Sequence, residues 1–120
     1  MNNFDLIWET FEFHSFEGSK LEEKHYANML KIQSFKEKGF GSEKNLPSLK
    51  EEILKDITIL NNCYSKQLDS VNELINIHDS KSFPEGMEIS KSTLCSLKNL
   101  IASLLEETKI YYSDIEDFLN

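Results

Sequence analysis

Phe11-Glu12-Phe13-His14-Ser15-Phe16-Glu17-Gly18-Ser19-Lys20-Leu21-Glu22 is the stretch on which the helix count turns. Its first four residues alternate apolar and polar, as a strand would. Just before it, Phe4, Ile7, Trp8 and Phe11 recur every three or four residues, the period of an amphipathic helix. Asp5, Glu9 and Glu12 form the opposing stripe. A helix is therefore expected from about Phe4 to Phe16. Asn3 would cap it, with Asp5 in the first turn, where the helix dipole favours an acid. Gly18 reads as a break. Ser19 followed by Glu22 has the spacing of a capping box. A second helix is expected from about Lys20 to Lys38, with Gly39 as its stop.

Outward from that stretch, Gly and Pro fall in two further zones: Gly39, Gly41 and Pro47, then Pro84 and Gly86. Between them Ile53, Ile57, Leu60, Tyr64, Leu68, Val71 and Ile75 keep a helical rhythm. A third helix is expected from Leu46 or Pro47 to His78. Pro47 suits its first turn, Ser48 and Glu51 repeat the capping-box spacing, and Asn61-Asn62 is a weak point. A fourth is expected from about Lys91 to Leu119, capped by Ser90 or Ser92. Leu94, Leu97, Leu100, Ile101, Leu104, Leu105, Ile110, Tyr111, Ile115 and Phe118 give it a broad apolar face. The expected fold is all-α: an up-and-down antiparallel bundle of four helices, two long and two shorter, in a single domain over residues 1–120.

Thirteen basic residues, all lysine, face 21 acids, for a formal net charge of −8. Lysine, asparagine and isoleucine are all plentiful, so the missing arginine is first of all a compositional bias. It still removes the planar fork that grips phosphate, and the chain is a poor candidate for nucleic-acid binding. Met1-Asn2-Asn3-Phe4-Asp5 lacks the basic start and apolar run of a secretory signal. No apolar run approaches the roughly 18 residues of a membrane span. The expected location is the cytoplasm, with Cys63 and Cys95 reduced. Antiparallel packing of helices three and four would separate those thiols by about 16 Å in height, too far for a disulfide.

No phosphate-binding loop, dinucleotide fingerprint or nucleophile elbow is present, so no enzyme activity and no cofactor are expected. Glu22 and His25 have the Glu-x-x-His spacing of di-iron bundles, but no second pair accompanies them. In a four-helix arrangement His14, His25 and His78 would gather at one pole. With Glu22 or Asp79 they would form a possible zinc or nickel site. The plainer reading leaves each histidine at a helix end for its own reason, with His25 as a core-edge residue between Leu21 and Met29.

Charge is uneven along the chain. Residues 1–18 hold Asp5, Glu9, Glu12 and Glu17 with no lysine. Residues 106–120 hold Glu106, Glu107, Asp114, Glu116 and Asp117 against Lys109 alone. The middle balances. Four helices would bring both ends to one pole, an acidic surface of Asp5, Glu9, Glu12, Asp114, Glu116 and Asp117. Trp8, Tyr111 and Tyr112 would lie among them, beside Phe4 and Phe118. An ordinary solvated surface would look the same. As a docking face it would steer a basic partner electrostatically and hold it by aromatic anchors.

In size, charge and helicity the chain is similar to bacterial immunity proteins and antitoxins, a likeness of class that no motif carries. It implies inhibition of a basic, nuclease-like toxin domain through that surface. A second expectation is a helical adaptor or self-associating bundle using Phe13 and Phe16. A third is a small metal-binding bundle.

Overall fold

The computed structural model describes residues 3–38, 46–80, 83 and 89–118. Among them the chain is all-helical, with three α-helices and no strand: α1 (Asn3–Lys38), α2 (Leu46–Asp79) and α3 (Lys91–Phe118). None of them is long and apolar enough to cross a membrane. The expected count of four is corrected to three, because the first two expected helices are one. The expected stops and turns at Gly39, Gly41, Pro84 and Gly86 lie outside the described residues.

Gly18 explains the fusion. It is buried against α2, and a Cβ built on it would lie 3.2 Å from Nε2 of Gln67 and 3.7 Å from Cβ of Cys63. The Gln67 amide donates to the His14 carbonyl at 3.3 Å. Glycine in a helix interior costs about 1 kcal/mol relative to alanine. Here the missing side chain lets two helices approach, and that packing offsets the cost. Ser19 caps nothing: its hydroxyl donates to the Ser15 carbonyl at 3.0 Å, one turn back, as mid-helix serines do. Ser48 likewise lies inside α2, which starts two residues earlier.

The later helices run close to expectation. Asn61-Asn62 does not interrupt α2. Instead the Asn61 amide donates to the Thr108 hydroxyl of α3 at 2.7 Å. Ser90 caps α3, its hydroxyl accepting from the Thr93 amide at 3.1 Å. Lys91 at the start of α3 pairs with Asp79 at the end of α2, at 2.8 Å. Cys63 and Cys95 are free thiols, the first buried and the second half-buried.

α2 is the central rod, and both other helices pack on it. Three clusters run along the interior. Phe4, Leu74 and Leu94 close one end, with Ile7, Trp8 and Phe83 against them. Leu60, Tyr64, Val71 and Ile101 fill the middle. Ile32, Ile53, Ile57 and Ile115 close the other end. Each fully buried Leu or Ile contributes about 1.5–3 kcal/mol. α1, at 36 residues, is a rod of about 54 Å, in keeping with a molecule of 60 × 25 × 18 Å.

An odd number of helices reverses the topology at the termini. α1 and α3 run parallel, both antiparallel to α2. Phe4 therefore sits level with Leu94, and Ile32 level with Ile115. Asp5, Glu9 and Glu12 lie toward the first end and Asp114, Glu116 and Asp117 at the second. Leu94 and Ile115, which mark the two ends on α3, are 21 residues or about 32 Å apart. The expected single acidic pole does not form.

The histidine pole fails for the same reason. His14 and His25 are on one continuous helix, about 16 Å apart in height. His78 lies at the far end of α2, near Phe83 and Phe4. Among the described residues no three His, Cys, Asp or Glu side chains are grouped to hold a metal ion.

Candidate protein-binding groove

Among the described residues no Cα of α1 comes within 8 Å of a Cα of α3. The two parallel helices meet only through side chains, and a groove runs between them over α2. Its wider part is a cavity of about 500 Å³ lined by Met29, Ile32, Gln33 and Glu37 of α1 and Tyr111, Asp114 and Ile115 of α3. Beside it, sharing Tyr111, lies a cavity of about 20 Å³. Glu22, His25 and Tyr26 of α1 line it, with Leu60 and Tyr64 of α2 and Leu104, Glu107, Thr108 and Tyr111 of α3.

Helical periodicity builds both walls. On α1, residues 22, 26, 29, 33 and 37 follow one another at four and three residues; on α3, residues 104, 107, 111 and 114 do the same. Such spacing keeps side chains on one flank. Each flank carries carboxylates, Glu22 and Glu37 on α1 and Glu107 and Asp114 on α3, and no lysine lines either cavity among the described residues. Several lysines occupy other stripes. Lys20, Lys24 and Lys31 share a face of α1, where Lys24 pairs with Asp56 of α2 at 2.9 Å and Glu52 at 3.2 Å. Lys91, Lys98 and Lys109 share a face of α3.

The small cavity brings several polar side chains together with apolar ones. His25 is 6% exposed, and its Nδ1 has no hydrogen-bond partner. Burial holds its pKa below the ordinary value, against the opposing pull of Glu107 and Glu22. Its ring meets Tyr111 edge-on, with centroids 5.0 Å apart. The Tyr64 hydroxyl donates to the Glu22 carboxylate, and burial with that carboxylate beside it pushes the Tyr64 pKa up. Thr108 accepts from Asn61 and donates to the Leu105 carbonyl at 2.6 Å.

The expected site residues divide between several places. Tyr111 and Asp114 line the groove. Tyr112 lies on the other flank of α3, in a depression of about 260 Å³ with Ile57, Thr58, Asn61 and Lys109. Glu116 and Asp117 are exposed at the last turn of α3, and the Glu116 carbonyl accepts from Lys50 Nζ at 3.0 Å. Asp5, Glu9 and Glu12 are exposed on the first third of α1. Trp8 is half-buried between Phe4 and Phe11, at centroid distances of 6.3 and 5.8 Å.

Glu37, Glu107, Tyr26 and Tyr64 were not foreseen as a site. The signal for them was present, but in the sign of charge on each helix face rather than in each chain segment. No known protein family, curated protein or solved structure matches this chain.

Proposed function

We propose that this chain is a small acidic protein-binding protein of the immunity or antitoxin type, which inhibits a basic, nuclease-like toxin domain by docking on it. The observation that supports this reading is the α1–α3 groove, walled by Glu22, Glu37, Glu107 and Asp114 without a lysine among its described lining. Unbalanced carboxylates on a docking face steer a cationic partner and speed encounter. Tyr26, Met29 and Tyr111 on the same walls supply the apolar anchors that hold a complex once formed. The outlying acids Asp5, Glu9, Glu12, Glu116 and Asp117 would add long-range attraction and little else.

The test is calorimetric titration against a basic domain encoded beside this protein's gene, with nuclease activity followed in parallel. The reading requires saturable binding that inhibits the nuclease. Neutralising Glu107 and Asp114 together should slow association and weaken binding at low salt. Binding that persists unchanged in high salt and in the double variant contradicts it.

One observation favours a second reading, self-association through the opposite flank of α1. Phe13 and Phe16 are 59% and 61% exposed, and Leu6 lies two turns before Phe13 on the same face. Light scattering that detects a concentration-dependent dimer, lost in Phe13→Ser, would support it. A strictly monomeric wild-type chain would exclude it.

A further inference from the structure

Two features on different faces of the molecule fit each other. The first is the depression of about 260 Å³ between α2 and α3, lined by Ile57, Thr58, Asn61, Thr108, Lys109 and Tyr112. Each helix contributes residues i, i+1 and i+4, which share one flank. Ile57 and Thr108 are buried, while Thr58, Lys109 and Tyr112 are exposed. The Thr58 and Thr108 hydroxyls donate to the Leu54 and Leu105 carbonyls at 2.9 and 2.6 Å, and the Asn61 amide donates to Thr108. With those donors engaged inside the protein, the depression favours apolar contact. Its volume suffices for an aromatic ring, since apolar cavities of about 150 Å³ already admit benzene.

The second feature is the outer face of α1, where Leu6, Phe13 and Phe16 are 57%, 59% and 61% exposed. Grouped apolar side chains of this kind mark interaction surfaces. Phe16 carries the Lys20 ammonium over its ring at 4.2 Å. Phe13 meets only the edge of the neighbouring His14 among the ring contacts described, and is the freer of the two. Charge matches as well. Glu9 and Glu17 stand one turn either side of Phe13 on the same face, Glu12 precedes it, and residues 1–18 contain no lysine. Lys109 is the one charged residue among the described lining of the depression, and the exposed Lys55 stands one turn before Thr58. The ion pairs these groups already make, Glu17 with Lys20 at 3.6 Å and Lys109 with Glu106 at 3.9 Å, are long and exposed and compete weakly.

We propose that Phe13 of one copy of this chain seats in the α2–α3 depression of a second copy, with Glu9 and Glu17 reaching Lys109 and Lys55. The contact joins unlike surfaces. A dimer therefore still carries one free Phe13 and one free depression, and assembly continues head to tail into a filament or a closed ring. The contact uses none of Glu22, Glu37, Glu107 or Asp114, so it is independent of docking in the groove. It rests on the self-association reading above and adds the site that receives the ring.

Sedimentation velocity of the full-length chain over a range of concentrations tests this with two variants. The wild type should form dimers and longer species as concentration rises. Phe13→Ser removes the ring. Thr58→Glu, at an exposed helix position, fills the depression and repels the acids around Phe13. Each should weaken association at least about tenfold, as loss of an interface anchor does. Mixed in equal amounts, the two variants should form dimers and nothing longer, because the first keeps an intact depression and the second an intact Phe13. Leu30→Ser, at a residue 70% exposed elsewhere on α1, should change nothing. A wild type that stays monomeric at every concentration overturns both the depression contact and self-association itself. Association that survives either substitution overturns the depression contact; if Phe13→Ser alone abolishes it, self-association through α1 stands without that contact. A mixture of the two variants, both helical by circular dichroism, that fails to recover dimers overturns it too.

Discussion

His25 and Tyr64 show how single side chains shape the groove. Burial lowers the pKa of His25, so the folded chain takes up its proton at lower pH than the unfolded chain does. The sign follows from linkage. The stabilising contribution is fully present above the unfolded value, about 6.5. It is lost as pH falls from there through the folded value. Thermal melts of the wild type should lose stability in that window, and His25→Leu should flatten that part of the profile. Tyr64 makes a second, independent test. Tyr64→Phe removes the donor to a half-buried carboxylate, Glu22, and should cost about 1–3 kcal/mol in denaturant titrations. Combined with Glu22→Gln, the double-mutant cycle should show coupling, since both changes disrupt one bond.

At the level of the elements, α2 and α3 were legible because their apolar residues repeat at helical spacing and their ends carry local signals. The Ser90 hydroxyl bond to Thr93 is one such signal, and Ser90→Ala should cost about 1 kcal/mol. α1 was misread because a glycine and a capping-box spacing mark a helix boundary only where tertiary packing does not override them. At Gly18 it does: the residue packs closely against Cys63 and Gln67 of α2. A Cβ 3.2 Å from the end of the Gln67 side chain can be accommodated by a small shift. Gly18→Ala should therefore change stability by less than about 1 kcal/mol, propensity offsetting crowding. Gly18→Val should cost about 1–3 kcal/mol, as overpacking does. Were Gly18 a flexible break instead, both substitutions would be tolerated alike.

For the whole molecule, that one misread element decides where charge is placed. With four helices, Asp5 and Glu116 would share a pole. With three, parity sends them to opposite ends, and the acid-rich surface moves to the flanks of α1 and α3. Of the residues expected from segment charge, Tyr111 and Asp114 line the groove, whereas Glu22, Glu37 and Glu107 join them only through the way the helix faces meet across it. Spin labels at positions 5 and 116 should lie on the order of 32 Å apart, from the rise along α3. A distance under about 20 Å would restore the four-helix arrangement and its single acidic pole. The groove's function is tested most directly by titrating a lysine-rich amphipathic helix into labelled protein and mapping the shifted signals. The account predicts saturable, salt-sensitive shifts confined to Glu22, Tyr26, Met29, Glu107, Tyr111 and Asp114. Shifts spread over Asp5, Glu9 and Asp117 in proportion to exposed charge, or none in the groove, would contradict it.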